Sequence, residues 1–112
     1  MVYDDGRVWG SVDVSTRDGT RWLVISEWSS DHPGVGHSRA ALDWLRPQFD
    51  VISANSVGMI DDGVPDPSIC YWAHMKSLGL VDVLIDDEGV ELEVLPDESV
   101  RRFAVVWECE RG

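Results

Sequence analysis

Two stretches of this chain carry helix signals, and each is enclosed by segments that read as strands, which confines the fold to the α/β (α+β) class. In the first, residues 37–46, Ala41, Leu42, Trp44 and Leu45 form an apolar stripe of helical period, and Pro47 forbids its continuation. The second opens with Asp66 placed as N-cap and Pro67 at the first helical position, where a missing N–H costs nothing. Ile69, Trp72, Ala73 and Met75 supply its buried face. Gly79 followed by Leu80 suits a left-handed C-terminal cap with its hydrophobic contact.

Around these helices the pattern is β. A short edge strand at residues 2–3 precedes the stretch 7–15, whose Val8, Gly10, Val12 and Val14 fall on one side. Arg17-Asp18-Gly19-Thr20 is a hairpin signal, and residues 21–28 are the returning strand. Its run Trp22-Leu23-Val24-Ile25 predicts burial on both faces, hence a central position. Residues 49–54, 81–85, 90–95 and 101–108 read as further strands, and residues 55–66 as a loop. The order is β-β-loop-α-β-α-β-β-β, with no repeat or linker, and 112 residues make one domain spanning 1–112.

Six Trp are expected to close the core of so short a chain, one or two of them alternatively forming a ligand shelf. Cys70 and Cys109 stand far apart without a CxxC, a pattern expected of two separate packing thiols in a cytosolic protein. The N-terminus lacks a basic segment followed by an apolar run, and no stretch has the roughly 18 apolar residues of a membrane span. The expected location is therefore the cytoplasm. Residues 1–47 hold five Arg against seven acids, while residues 48–112 hold four basic residues against fourteen acids, within a total charge of −12. That field argues against direct nucleic-acid or membrane binding and favours a basic partner.

Two segments carry a family likeness. A buried strand runs through Gly34-Val35-Gly36 into the helix His37-Ser38-Arg39-Ala40-Ala41-Leu42-Asp43-Trp44-Leu45, and glycines at a helix entrance let phosphate oxygens approach backbone N–H groups. A strand and the helix Tyr71-Trp72-Ala73-His74-Met75-Lys76-Ser77-Leu78-Gly79-Leu80 follow, leading into acidic strands. Over roughly residues 21–95 this arrangement resembles the acyl-CoA-binding core of the GNAT acetyltransferases. The chain itself starts at about the family's second strand. It implies a truncated GNAT-like domain: a mixed, mostly antiparallel sheet flanked by two helices. Asp31 stands where the family's phosphate loop usually begins with Arg or Gln, and Met75 replaces a helix aromatic.

The resemblance implies acetyl-CoA as acyl donor, held by Gly34, Val35, Gly36, His37 and Ser38, with backbone groups near Ile25 and Trp28 pairing with the pantetheine arm. It implies transfer to a small-molecule or protein amine, with Glu27 as base and Tyr71 as acid. For both side chains a plain structural role, an outward strand carboxylate and a half-buried helix residue, is the alternative. His32 and His37 with Asp31 match no compact zinc signature, and Asp61-Asp62-Gly63 lacks calcium-loop spacing, so no metal is expected. Cys70 has no local base to make it a nucleophile.

The acidic strands support a second reading. Asp82 and Asp86 alternate with Val81, Val83 and Ile85, and Glu91 and Glu93 alternate with Val90, Leu92 and Val94, which predicts a row of carboxylates on one face. Such a row suits a non-catalytic inhibitor that docks a basic protein surface or mimics nucleic acid, a habit of proteins encoded by mobile elements; a solubilising face is the simpler alternative. Phe103, Val105 and Trp107 would form an exposed edge able to pair two copies into a homodimer.

Overall fold

The computed structural model describes residues 1–32, 35–58, 60–61 and 64–109. Gly34, Asp62 and Gly63, which belong to motifs named above, lie outside the described residues. Among those described, no helix is long and apolar enough to cross a membrane.

The Asp18-Gly19 signal is realised as a tight hairpin, both residues having positive φ (50° and 79°), between β2 (Val8–Arg17) and β3 (Thr20–Ser30). With β1 (Val2–Asp4) they form an antiparallel meander. Helix α1 (His37–Leu45) and a 3-10 turn (Arg46–Gln48) return the chain to β4 (Val51–Asn55), which pairs parallel to β3. A two-residue hairpin, β5 (Ile60–Asp61) and β6 (Val64–Pro65), interrupts the expected loop. Helix α2 (Pro67–Ser77) then leads to β7 (Val83–Ile85), parallel to β4. The strands β8 (Glu91–Val94), β9 (Val100–Arg102) and β10 (Val105–Trp107) complete an antiparallel run. The main sheet has eight strands in the order β1-β2-β3-β4-β7-β8-β9-β10. The expected class, a mixed and mostly antiparallel sheet with two helices, is what the chain forms.

The helix boundaries follow their local chemistry. Asp66 accepts the Ser68 N–H at 2.8 Å, and after α2 the Gly79 and Leu80 N–H groups cap Lys76 and Met75 carbonyls at 2.9 and 3.0 Å. Both helices lie on a single core with the sheet's inner side: Leu42 and Leu45 from α1 and Ile69, Trp72, Ala73 and Met75 from α2 meet Leu23, Ile25, Ile52, Leu84, Leu92 and Val100. Each fully buried aliphatic side chain contributes about 1.5–3 kcal/mol.

Three expectations are corrected. Burial on β3 is one-sided, because Leu23 and Ile25 are buried while Trp22 and Val24 are half-buried on a face that, among the described residues, no helix covers. The core is aliphatic rather than Trp-rich: only Trp72 is buried, whereas Trp44 is 61% and Trp9 43% exposed. Residues 101–108 are not one strand but the hairpin β9–β10, reversed at Phe103, whose φ is 56°. Phe103, Val105 and Val106 are exposed on this edge.

Asp86 closes the β7–β8 turn. Its buried carboxylate accepts N–H groups of Glu88 and Val90, each at 2.9 Å, and Arg102 Nε at 2.7 Å. Burial pushes the carboxyl upward, but the hydrogen bonds from Val90, Arg102 and Glu88 and the guanidinium charge outweigh it, leaving it below the usual carboxylate range. The unfolded group binds its proton at about pH 3.9 and the folded one only lower. Stability from Asp86 is therefore full above about pH 4 and is lost as pH falls through the folded value. Asp86→Asn is expected to cost about 2 kcal/mol at pH 7 and to flatten the fall in stability below pH 4, read by urea unfolding at several pH values. An unchanged acid slope would contradict this assignment.

Candidate functional site

Strands β3 and β4 pair only from Trp22↔Val51 to Ile25↔Ala54. Beyond that point β3 continues to Ser30 against β2 alone, while β4 ends at Asn55 and the chain turns away, Val57 N–H bonding Ile85 O at 3.1 Å. The divergence coincides with a bulge: Ser11 faces Glu27 and Val12 faces Ile25, so Ser26 has no partner on β2. The result is a gap of about 290 Å3, walled by Ser26, Glu27 and Trp28 on one side and Asn55, Ser56 and Val57 on the other.

A larger cleft of about 690 Å3 opens between the start of α1 and α2. Gly36, His37, Ser38 and Arg39 form one wall and Tyr71, Trp72, His74 and Met75 the other. The two cavities share Trp28, Ser29, Ser68 and Trp72, so they adjoin. Helix α1 begins at Gly36, with φ 88° and no side-chain cap, a conformation glycine adopts without strain and other residues do not. Its first-turn N–H groups and the exposed Arg39 make this end attractive to an anion.

Where the cavities meet, three elements are joined by side chains. Trp28 Nε1 on β3 donates to Ser38 Oγ on α1 at 2.7 Å, and the Ser38 hydroxyl is hydrogen-bonded to the Tyr71 hydroxyl on α2. Burial pushes the Tyr71 phenol up, partly offset by its contacts with Ser38 and Trp28, so it stays protonated through the neutral range. A protonated phenol in an apolar wall can donate a proton to a leaving group. Glu27 lies on the other side of the junction, exposed in the wall of the smaller gap.

Trp28, Gly36, His37, Ser38 and Tyr71, named from the sequence, are thus gathered around one cleft. Ile25 contributes a buried side chain to the core beside the gap, and Val35 is 62% exposed. Arg39, Ser68 and Trp72 were not named for the site; Arg39 had a readable signal, a cation in the first turn after the glycine entrance. Cys70 and Cys109, expected as separate thiols, form a disulfide with Cα atoms 5.6 Å apart, because the start of α2 meets the segment after β10. Asp31 and the adjacent His32 meet His37, five residues on, and the two histidines line the cleft.

The acidic residues do not form one row. Leu84 on the Asp82–Asp86 side of β7 is fully buried, so that side is the inner one; Asp86 is buried at one end of it and Asp82 stays exposed at the other, and both serve as anchors. Asp86 holds the turn described above; Asp82 accepts Arg46 Nη1 at 2.6 Å and the Ile52 N–H at 2.8 Å, tying α1's end to β4. Glu91 and Glu93 point outward, and Glu93 pairs with Arg101 Nη2 at 2.9 Å.

Comparison with known proteins found no matching family model, no similar curated protein and no similar solved structure.

Proposed function

We propose that this domain binds an acyl-CoA and transfers its acyl group to an amine, with a GNAT-like site. The observation that carries the reading is the parting of β3 from β4 beside a glycine-entered helix, with Tyr71 at the junction. The gap offers unpaired β3 backbone to an extended arm, and the adjoining cleft has the size of an ordinary ligand site. The α1 entrance and Arg39 suit phosphate oxygens, against which Asp31 at the same mouth works.

In this reading the acceptor enters from the Glu27 side. The Glu27 carboxylate takes a proton from the ammonium, through water, and the freed amine nitrogen attacks the thioester carbonyl carbon. The C–S bond breaks as the nitrogen releases its second proton to solvent, and Tyr71 O–H delivers a proton to the departing thiolate; solvent restores the phenol. Positioning in the gap supplies much of the rate, since the attacking and leaving groups are held on opposite sides of one strand edge.

Isothermal titration with acetyl-CoA tests this directly. Wild type is expected to bind, Gly36→Asp to lose at least tenfold in affinity through charge and backbone conflict at the helix entrance, and Tyr71→Phe to keep affinity within about twofold while losing about 100-fold or more in turnover. Circular dichroism confirms that each variant is folded. No binding by folded wild type, or unchanged affinity in Gly36→Asp, sinks the proposal.

A further inference from the structure

The structure points to a second ligand: we propose that Asp31, His32 and His37 hold a divalent first-row transition-metal ion, of the zinc and cobalt class, at the mouth of the α1–α2 cleft. One donor atom from each residue lies within 4.8 Å of the others. His32 Nδ1 stands 3.1 Å from one Asp31 carboxylate oxygen and His37 Nδ1 3.3 Å from the other. Around a metal with bonds of about 2.1 Å, neighbouring ligand atoms stand about 3.0–3.5 Å apart, so these edges already have the dimensions of a coordination shell. The remaining His–His edge also lies within 4.8 Å, and a bound ion would draw the two imidazoles closer.

Asp31 and His32 are adjacent after β3, and His37 joins them from the start of α1. Asp31 follows β3 and is fixed by its N–H to Arg7 O at 2.9 Å. His37 is the first residue of α1, and its ring meets that of His32 edge-on with centroids 6.2 Å apart. The side chains of His32, Asp31 and His37 are 71%, 34% and 28% exposed, which gives an ion a path in. Two imidazoles and one carboxylate favour zinc, cobalt or nickel over magnesium or calcium, which take all-oxygen shells. Three protein ligands leave at least one position open, and since His32 and His37 line the cleft, that position serves water or an anionic oxygen of its occupant. The ion would also reverse the sign of charge that Asp31 alone places beside the helix entrance. This site does not depend on the acyl-CoA reading.

The test is titration of the intact protein with Co2+, followed by visible absorption, and with Zn2+ by calorimetry. One equivalent is expected to bind, with Zn2+ displacing Co2+. Asp31→Asn and His37→Ala are each expected to weaken binding at least tenfold, and His74→Ala, at a histidine paired with Glu98, to leave it unchanged. Absence of binding in wild type, retention of affinity in His37→Ala, or loss of it in His74→Ala overturns the proposal.

Discussion

Alanine at position 10 is expected to destabilise the protein by about 3 kcal/mol, a large part of the roughly 5–15 kcal/mol available to a domain of this size. Gly10 lies in β2 opposite Trp28, next to the bulge. A Cβ there would stand 2.1 Å from the Glu27 carbonyl oxygen, 3.0 Å from its carbon and 3.0 Å from Trp28 Cε3. The obstacle is backbone, so no side-chain rotation relieves it, and β2 and β3 must move apart. Because Trp28 also donates to Ser38, the same displacement pulls on the junction of the two cavities. Urea unfolding of Gly10→Ala checks this; a loss under about 0.5 kcal/mol would mean that the strands separate there without cost.

Removing the disulfide is expected to cost about 3–4 kcal/mol. Cys70 and Cys109 are 39 residues apart, and opening a loop of that length frees the unfolded chain by about that amount in the chain-entropy account. The bond fastens the half-buried Cys109, which packs on the core, to the helix that carries Tyr71. The paired Cys70→Ser/Cys109→Ser variant and the wild type in dithiothreitol should share one lowered urea midpoint. Thiol titration should find no free thiol in the oxidised folded protein and two after reduction. Two reactive thiols before reduction, or an unchanged midpoint after it, would contradict the bond. Disulfides persist in oxidising surroundings and are opened by cytosolic thiols, so the reduced midpoint is also the stability the chain would have in a reducing compartment.

What could be read from the sequence was local. Asp18-Gly19 specifies its turn, Asp66-Pro67 starts α2 and Gly79 stops it, because in each case the determining atoms lie within a few residues. The reversal at Phe103 had no such signal, since Phe carries no preference for positive φ and the surrounding sheet imposes it. The same holds for Asp86. Its alternation with apolar neighbours suggested solvent, but Arg102, sixteen residues on, supplies the partner that lets it be buried. Trp22 and Trp9 read as core because size favours burial, yet with both helices on one side of the sheet their face stays uncovered. At the site, the glycine entrance and Tyr71 were legible, whereas the Trp28–Ser38–Tyr71 contacts and the disulfide exist only because distant elements converge; Asp31, His32 and His37 are near neighbours in sequence, but their spacing carries no metal signature and only the placement of α1 after β3 brings them together.

The strand order across the eight-stranded sheet is also the order along the chain. No strand has to be threaded between two that are already paired, so the sheet can be laid down from one edge to the other as synthesis proceeds. Hairpins at either side need only short loops to close, and the entropy of closing longer ones falls on the two helical crossovers flanking β4. The step that joins the two meanders is therefore the step that opens the gap beside β3: the half-built sheet has two edges, and the finished one keeps a remnant of the inner edge.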